Sequence, residues 1–493
     1  MDDPKSAAPL DAPVKGGGGI VAVLAVAGIV AALMQTLVVP LIGQLPQLLH
    51  TSASNASWAV TATLLAAAVA TPAIGRLGDL YGKRQMLLLC TIPLILGSAL
   101  CAVSDSLLPM IVGRGMQGIG MGLVPLGISA MRDLLPPEKL GSSIALMSSS
   151  MGIGGALGLP IAAAVAENTS WRVLFWASAV LSALITVLIW ILVPATPVRA
   201  EGRFDLIGAI GLGGGVVCLL LGVSKGADWG WTSGTIIGLF AAAVVVLLAW
   251  GWWELRSHDP LIDLRVTARR QVLLTNVASI LVGFAMYAQS LVVIQLLQLP
   301  EATGYGLGQS MLAAGLWVAP SGLMMMLISP LGAALSRVRG PKVTLGVGSL
   351  VIAAGYGSSM ALLGSPWGLL VVTSICSAGV GLAYGAMPAL IMGAVPRSET
   401  AAANSFNAVM RSLGTSVSAA VVGVVLSQMT VTLGGYALPS EDGFRTSMLV
   451  GCGVALLAAA VTLTLPRFRT GPDAGTEAPV AEPAVITEGA ARR

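Results

Sequence analysis

Gly75-Arg76-Leu77-Gly78-Asp79-Leu80-Tyr81-Gly82-Lys83-Arg84 is a charged, glycine-rich break between two runs that carry no charge, about residues 57–75 and 85–104. Each run approaches the roughly 20 apolar residues that cross a bilayer as a helix. A short cationic break between two such runs reads as a loop at a membrane surface.

The pattern recurs along the chain. Charge-poor stretches cut at glycine, proline and polar clusters predict fourteen spanning helices, the long uncharged stretch Val343 to Pro396 dividing at Gly364-Ser365-Pro366. With the N-terminus in the cytoplasm, 21 of the 26 Lys and Arg fall in inner segments, while Arg172, Lys225 and Arg445 fall outside and Arg114 and Arg411 lie within helices. Cytoplasmic loops hold the positive charge, so both termini are expected inside, and an odd helix count would spoil the alternation.

Composition agrees. Only 10% of the 493 residues are charged and 56% are hydrophobic, against about 25% charged in a soluble protein. The net charge of +4 is spread over many loops and forms no patch, which argues against a nucleic-acid partner. Cys90, Cys101, Cys218, Cys376 and Cys452 sit in apolar stretches without ligand spacing and read as buried packing thiols, with no metal site. The apolar run that follows Gly19 is too long for a signal-peptide core, so it is expected to stay as the first helix.

Weak internal repetition accompanies the helix count. The opening segment has an echo at Gly332-Ala-Ala-Leu-Ser336-Arg337-Val-Arg-Gly340-Pro-Lys342, and Gly118, Gly120 and Glu138 meet Gly379, Gly381 and Glu399 at an offset of 261. The expected organisation is a cytoplasmic tail at 1–18, a six-helix bundle at 19–193, links with two inserted helices at 194–270 (about 206–223 and 233–254), a second six-helix bundle at 271–466, and a disordered cytoplasmic tail at 467–493 rich in Pro, Ala, Glu and Gly.

These residues resemble the major facilitator superfamily, and within it the fourteen-helix drug:proton antiporter branch. Gly75, Asp79, Gly82, Lys83 and Arg84 fit the family's GxxxDxxGRR-like loop between helices two and three, and Arg114, Gln117, Gly118 and Gly120 fit RxxQGxG. Gly154, Gly155, Gly158 and Pro160 are similar to the antiporter pattern GxxxGPxxGG, with Leu159 inserted and alanines at the final glycines. Ser170-Trp171-Arg172 with Phe175, Asp205 with Gly208, and Glu254, Arg256, Pro260, Leu261 and Leu264 resemble segments of the fourteen-helix branch.

The resemblance implies an all-α membrane protein in the bacterial plasma membrane. It would work as a monomer, by alternating access, exporting small, largely hydrophobic drugs or metabolites; its partners would be lipid, protons and the small molecule. It would use no cofactor, with the proton gradient as its energy source. It also implies that Asp79 latches the two halves in the outward-facing state, with Lys83 and Arg84 expected at the interface or acidic lipid; the plainer reading, a topogenic basic cluster with a solvated Asp, is less favoured because a positive loop alone does not require an Asp and glycines at this spacing. Gly154 and Gly158 permit close helix contact and Pro160 a bend, which suits a seal that works during alternation.

An arginine inside a membrane helix costs about 2.5–3.5 kcal/mol on insertion scales and needs a partner or water. Arg411 is expected near mid-bilayer, sharing a face with Asn404 and Asn407. Arg114 lies nearer a helix end, where snorkelling or structural pairing competes. A central cavity between helices one, four, nine and twelve, as the resemblance places it, would be lined by Gln35, Arg114, Gln117, Tyr287, Gln289 and Tyr384, with Asn407 beside Arg411; each of these polar groups could instead bond a neighbouring helix.

Met34 stands where relatives that expel cationic drugs carry an Asp, and no acid lies deep in a predicted helix. Two arginines without an acid disfavour lipophilic cations and favour neutral or acidic substrates. Import by symport stays open beside export. A membrane enzyme is disfavoured, since the two histidines, His50 and His258, sit in loops and no nucleophile or phosphate-binding motif is present, and a sensor is disfavoured because the loops are short and offer no soluble domain to carry a signal.

Overall fold

In the computed structural model the described residues are 17–41, 44–195, 200–433 and 436–466. The expectations for residues 1–16 and 467–493 lie outside them. Fourteen helices among the described residues are long and apolar enough to cross a membrane. The first six are α1 (Gly17–Thr36), α2 (Trp58–Tyr81), α3 (Lys83–Ala102), α4 (Leu107–Leu134), α5 (Pro137–Asn168) and α6 (Arg172–Leu192). Two follow, α7 (Leu206–Trp229) and α8 (Gly234–Glu254). The last six are α9 (Arg270–Gln298), α10 (Met311–Arg339), α11 (Pro341–Leu362), α12 (Pro366–Met392), α13 (Arg397–Gln428) and α14 (Glu441–Thr464).

Local chemistry sets where these helices start and break. Ser233, Ser310, Ser365 and Ser440 each cap a helix by accepting from the N–H three residues on, worth about 1 kcal/mol apiece. The helix α4 tightens to a 3-10 turn at Gly120–Gly122, and α10 breaks at Ile328, just before Pro330, which has no N–H to donate. Gly82 and Gly340, aligned in the sequence echo, take φ of +108° and +87° between α2 and α3 and between α10 and α11. Both turns need a left-handed residue, so the echo marks one structural device used twice.

Helix packing carries the repeat further. In the first six helices α1 packs on α5 and α6, α2 on α4, and α3 on α4 and α6; in the last six α9 packs on α13 and α14, α10 on α12, and α11 on α12 and α14. Between the bundles, α5 meets α10 and α12 while α13 meets α2 and α4, the arrangement a pseudo-twofold relation requires. Gly118 packs on the carbonyl of Thr63 in α2 and Gly381 on the carbonyl of Met325 in α10. By packing, Gly118 therefore matches Gly381, not Gly379 as the sequence offset pairs them.

Two local expectations need correction, and one element was not expected. α7 runs to Trp229, past the expected 223, so Lys225 is a buried helix residue and not part of an outer loop. It is kept there by Asp228 Oδ2 at 2.9 Å and Ser57 Oγ at 2.5 Å. α1, whose apolar run predicts a helix over about 19–43, stops at Thr36 and passes into a 3-10 turn at Val39–Leu41. An antiparallel hairpin, β1 (Thr430–Leu433) and β2 (Tyr436–Pro439), joins α13 to α14; its strands are too short for an alternating pattern to be read from sequence.

The inserted pair closes one side of the molecule. Leu212, Val216 and Leu220 of α7 and Trp250 of α8 form one apolar cluster with Ala68 of α2 and with Phe406 and Val409 of α13. The outer face of α8, with Ile237, Val244, Val245, Leu248 and Trp252 exposed, is suited to lipid.

Candidate functional site

At one end of the helices the two bundles meet through Asp79. Its Oδ1 accepts from the backbone N–H of Ala401 at 3.2 Å and its Oδ2 from that of Ala402 at 2.9 Å. These N–H groups belong to the first turn of the α-helical part of α13, which begins at Thr400 after a 3-10 turn at Arg397–Glu399, where the helix dipole favours an anion. Gly75 allows the approach: a Cβ there would stand 2.7 Å from the carbonyl oxygen of Ala401 and 2.3 Å from Ser405 Oγ.

Asp79 is 1% exposed and Lys83 is 0% exposed. Lys83 Nζ lies 3.8 Å from Asp79 Oδ1 and donates a short hydrogen bond to Asp133 Oδ2 at the end of α4. The readings of a solvated Asp and of a lipid-facing Lys83 are thus corrected: one ammonium serves two carboxylates, Arg76 and Arg132 also act on Asp79, and the Asp79 carboxylate faces the N-terminus of α13. Arg84 donates to the carbonyl of Trp190 at the end of α6, at 2.6 Å. Arg132 adds a second bridge, donating to Thr400 Oγ1 at 2.7 Å and to the carbonyl of Val395. Sequence reading missed Arg132, Asp133 and Thr400, because a basic-acidic pair at a helix end looks like any membrane-surface loop.

Arg114 is 1% exposed, and among the described residues its side-chain hydrogen bonds are all internal to the first bundle. Its Nε donates to the carbonyl of Ala59 at 2.8 Å, and its Nη1 to the carbonyl of Met34 at 2.7 Å and to Gln117 Oε1 at 2.6 Å. Because α1 ends at Thr36, the Met34 carbonyl has no partner in its own helix, and Arg114 caps it. Gln117 in turn donates to Ser98 Oγ at 2.8 Å. Arg114 and Gln117 therefore tie α1, α2, α3 and α4 together and do not line the central cavity, as had been expected.

Arg411 is placed otherwise. Half-buried on α13, it lines a narrow cavity between α4 and α5 of one bundle and α12 and α13 of the other, together with Ser148, Met151, Tyr384, Asn404 and Asn407. The guanidinium carbon sits 4.7 Å from the centre of the Tyr384 ring, and Nη2 lies 4.0 Å from Met151 Sδ. Asn407 donates to Asn276 Oδ1 at 2.8 Å and to Ser279 Oγ at 2.7 Å on α9. The cavity measures about 10 Å³, room for about one water, so it is closed to any organic solute in this conformation. Of the other expected cavity residues, Gln35 and Tyr287 are half-buried and Gln289 is buried, and none of the three lines this cavity.

The glycines of α5 serve two faces. A Cβ on Gly154 would stand 2.2 Å from the carbonyl oxygen of Ile29, and one on Gly158 1.9 Å from Thr36 Oγ1, so both seat α1 within the first bundle; nothing lies within 4 Å of such an atom on Gly155. The contact between bundles runs along Gly152, Ala156 and Pro160, which meet Met325, Gly322 and Gly315 of α10. The four-residue spacing was legible, but not which of two adjacent stripes faces the other half.

The profile of the Major Facilitator Superfamily matches residues 24–419, most of the chain. The chain belongs to this superfamily. As a superfamily member it is a multi-pass membrane transporter of small molecules, not an enzyme. It is similar to multidrug resistance protein 3 of Bacillus subtilis (strain 168), 26% identical over 378 residues that cover 75% of this chain and 72% of that one. It is also similar to the tetracenomycin C resistance and export protein of Streptomyces glaucescens, 29% identical over 412 residues, covering 82% and 75%. Two solved structures share the fold. The proton:xylose symporter XylE has a TM-score of 0.64 at 14% identity, covering 92% of this chain and 97% of that one; the human organic anion transporter MFSD10 has 0.61 at 17%, covering 90% and 99%.

Proposed function

We propose that this superfamily member exports small, largely hydrophobic organic compounds from a bacterial cell by alternating access, in exchange for protons. The Asp79 end and both termini would face the cytoplasm. The halves at about 19–193 and 271–466 rock about the Arg411 cavity, with α7 and α8 riding on α2 and α13. One observation carries the reading: the Asp79 carboxylate holds the first turn of α13 across the two bundles. A contact made of one charge and two N–H groups is strong in a dry interface and lost as a unit when the bundles part, as a latch on the inward gate requires.

Direction is supported by the relatives, whose names speak of multidrug resistance and of antibiotic export. Orientation is supported by the excess of Lys and Arg in the loops assigned to the Asp79 side. The test is accumulation of a panel of hydrophobic antibiotics and dyes in an efflux-deficient bacterial host, with and without a proton uncoupler, for wild type and Asp79→Asn. Lower accumulation with wild type, reversed by the uncoupler and by Asp79→Asn at equal membrane abundance, supports the proposal. Accumulation raised by the wild type would overturn it in favour of import.

A further inference from the structure

With Arg114 hydrogen-bonded inside the first bundle, Arg411 is the charged side chain of the central cavity. Among the described residues it forms no ion pair and no hydrogen bond to an oxygen; it touches a ring face and a sulfur. No Asp or Glu lines the cavity. A guanidinium that lies over a tyrosine ring keeps its in-plane N–H edge free, and that edge is a fork matched to two oxygens of one acid group.

A second group points the same way. Ser148, on α5 in the other bundle, is 3% exposed, its Oγ has no hydrogen-bond partner among the described residues, and it lines the same cavity. An unpaired buried hydroxyl is costly unless some state of the protein gives it a partner. The remaining walls nearby, Val124, Ile128 and Pro388, are apolar.

We propose that Arg411 binds the acid group, carboxylate or phenolate, of an amphipathic aromatic anion, with Ser148 donating a further hydrogen bond and the apolar walls taking the ring system. This rests on the efflux reading above and names its substrate class. The geometry also couples binding to motion: Arg411 and Tyr384 belong to the second bundle, Ser148 and Met151 to the first. The cavity admits such a ligand when the bundles separate, which breaks the Arg411–Met151 contact; an oxygen acid then replaces the sulfur as the guanidinium's partner.

The test uses three probes of one shape, 2-naphthoate, 2-naphthamide and 2-naphthyltrimethylammonium, titrated against the purified full-length protein in detergent with intrinsic tryptophan fluorescence as readout. Transport of fluorescein and of rhodamine 123 is followed in parallel in everted vesicles. Wild type is expected to bind the naphthoate about tenfold or more tighter than the amide, and the cation weakest. Arg411→Gln brings the naphthoate down to the level of the amide, Arg411→Lys keeps part of the preference, and Ser148→Ala weakens the naphthoate about threefold. Each variant is checked for fold by its thermal unfolding.

Equal or tighter binding of the cation, an anion preference that survives in Arg411→Gln, or binding of none of the three overturns the proposal. Export of rhodamine 123 but not fluorescein overturns it while leaving efflux standing. An Arg411-dependent anion preference in binding, with neither dye exported, supports the site while the efflux reading fails.

Discussion

Asp79 and Ala402 are 323 residues apart in the chain, and the carboxylate Oδ2 of one lies 2.9 Å from the backbone nitrogen of the other. The contact joins the two halves with a side chain on one side and only backbone on the other. At Ala402 only proline, which has no N–H, would remove the donor, so every other side-chain change that alters the contact directly is made at Asp79.

Asp79→Asn takes away the charge and presents an amide N–H to a helix N-terminus, weakening the junction by about 1–3 kcal/mol. Ser405, buried beside Gly75, reports on it. A Ser405→Cys thiol in a background with the five native cysteines replaced is expected to react several-fold faster with a soluble maleimide when Asp79→Asn is added. Equal rates would mean that the carboxylate does not hold the gate.

The two intramembrane arginines are expected to separate in a stability measurement. Arg114→Met strands the carbonyl of Met34 and the side-chain oxygen of Gln117, while the Ala59 carbonyl keeps Thr63 Oγ1, so thermal unfolding in detergent should show a loss of roughly 2–4 kcal/mol. Arg411→Met loses a ring contact and a sulfur contact and should change stability by about 1 kcal/mol or less, while altering transport. Similar unfolding temperatures for the two variants would contradict the different roles derived from their partners.

Within the antiporter-like glycines, Gly155→Ala is expected to leave membrane abundance and export unchanged, since nothing lies within 4 Å of the added methyl. Gly154→Ala forces a methyl to within 2.2 Å of the backbone oxygen of Ile29 and should destabilise the protein, by about 1–3 kcal/mol. Abundance on a quantitative immunoblot and thermal unfolding of the solubilised protein distinguish the two. Equal tolerance would mean that α1 and α5 are not packed as described.

Charge movement tests substrate class and coupling together. Export of a monoanion alone moves one charge, export against one inward proton moves two, and exchange of a monocation for a proton moves none. Each charge is worth about 2.3 kcal/mol per 100 mV, or roughly 50-fold in a concentration ratio. In proteoliposomes clamped with potassium and valinomycin, the reversal potential for 2-naphthoate is expected to fit two charges. A one-charge fit removes the proton from the cycle, and voltage independence contradicts anion export.

What the sequence by itself determined is what depends on local composition and order: the fourteen crossings, the charge asymmetry of the loops, the repeat of Gly82 in Gly340, and Gly75, Asp79 and Lys83 of the contact between the bundles, but not Arg132, Asp133 or Thr400. These follow from the length of apolar runs, the steric freedom of glycine and the place of charge near a membrane surface, all of which a linear string displays. Which face a membrane helix turns to a partner was decided only in three dimensions. Lipid and protein interior are equally apolar, so hydropathy along α5 gives no contrast between the stripe of Gly154 and Gly158 and the neighbouring stripe of Gly152, Ala156 and Pro160. The fate of the arginines was decided there too: both are cations in apolar helices, but one meets the free carbonyl at the end of α1 while the other meets a tyrosine ring, because α1 ends where α4 passes and α13 crosses α12 at the cavity.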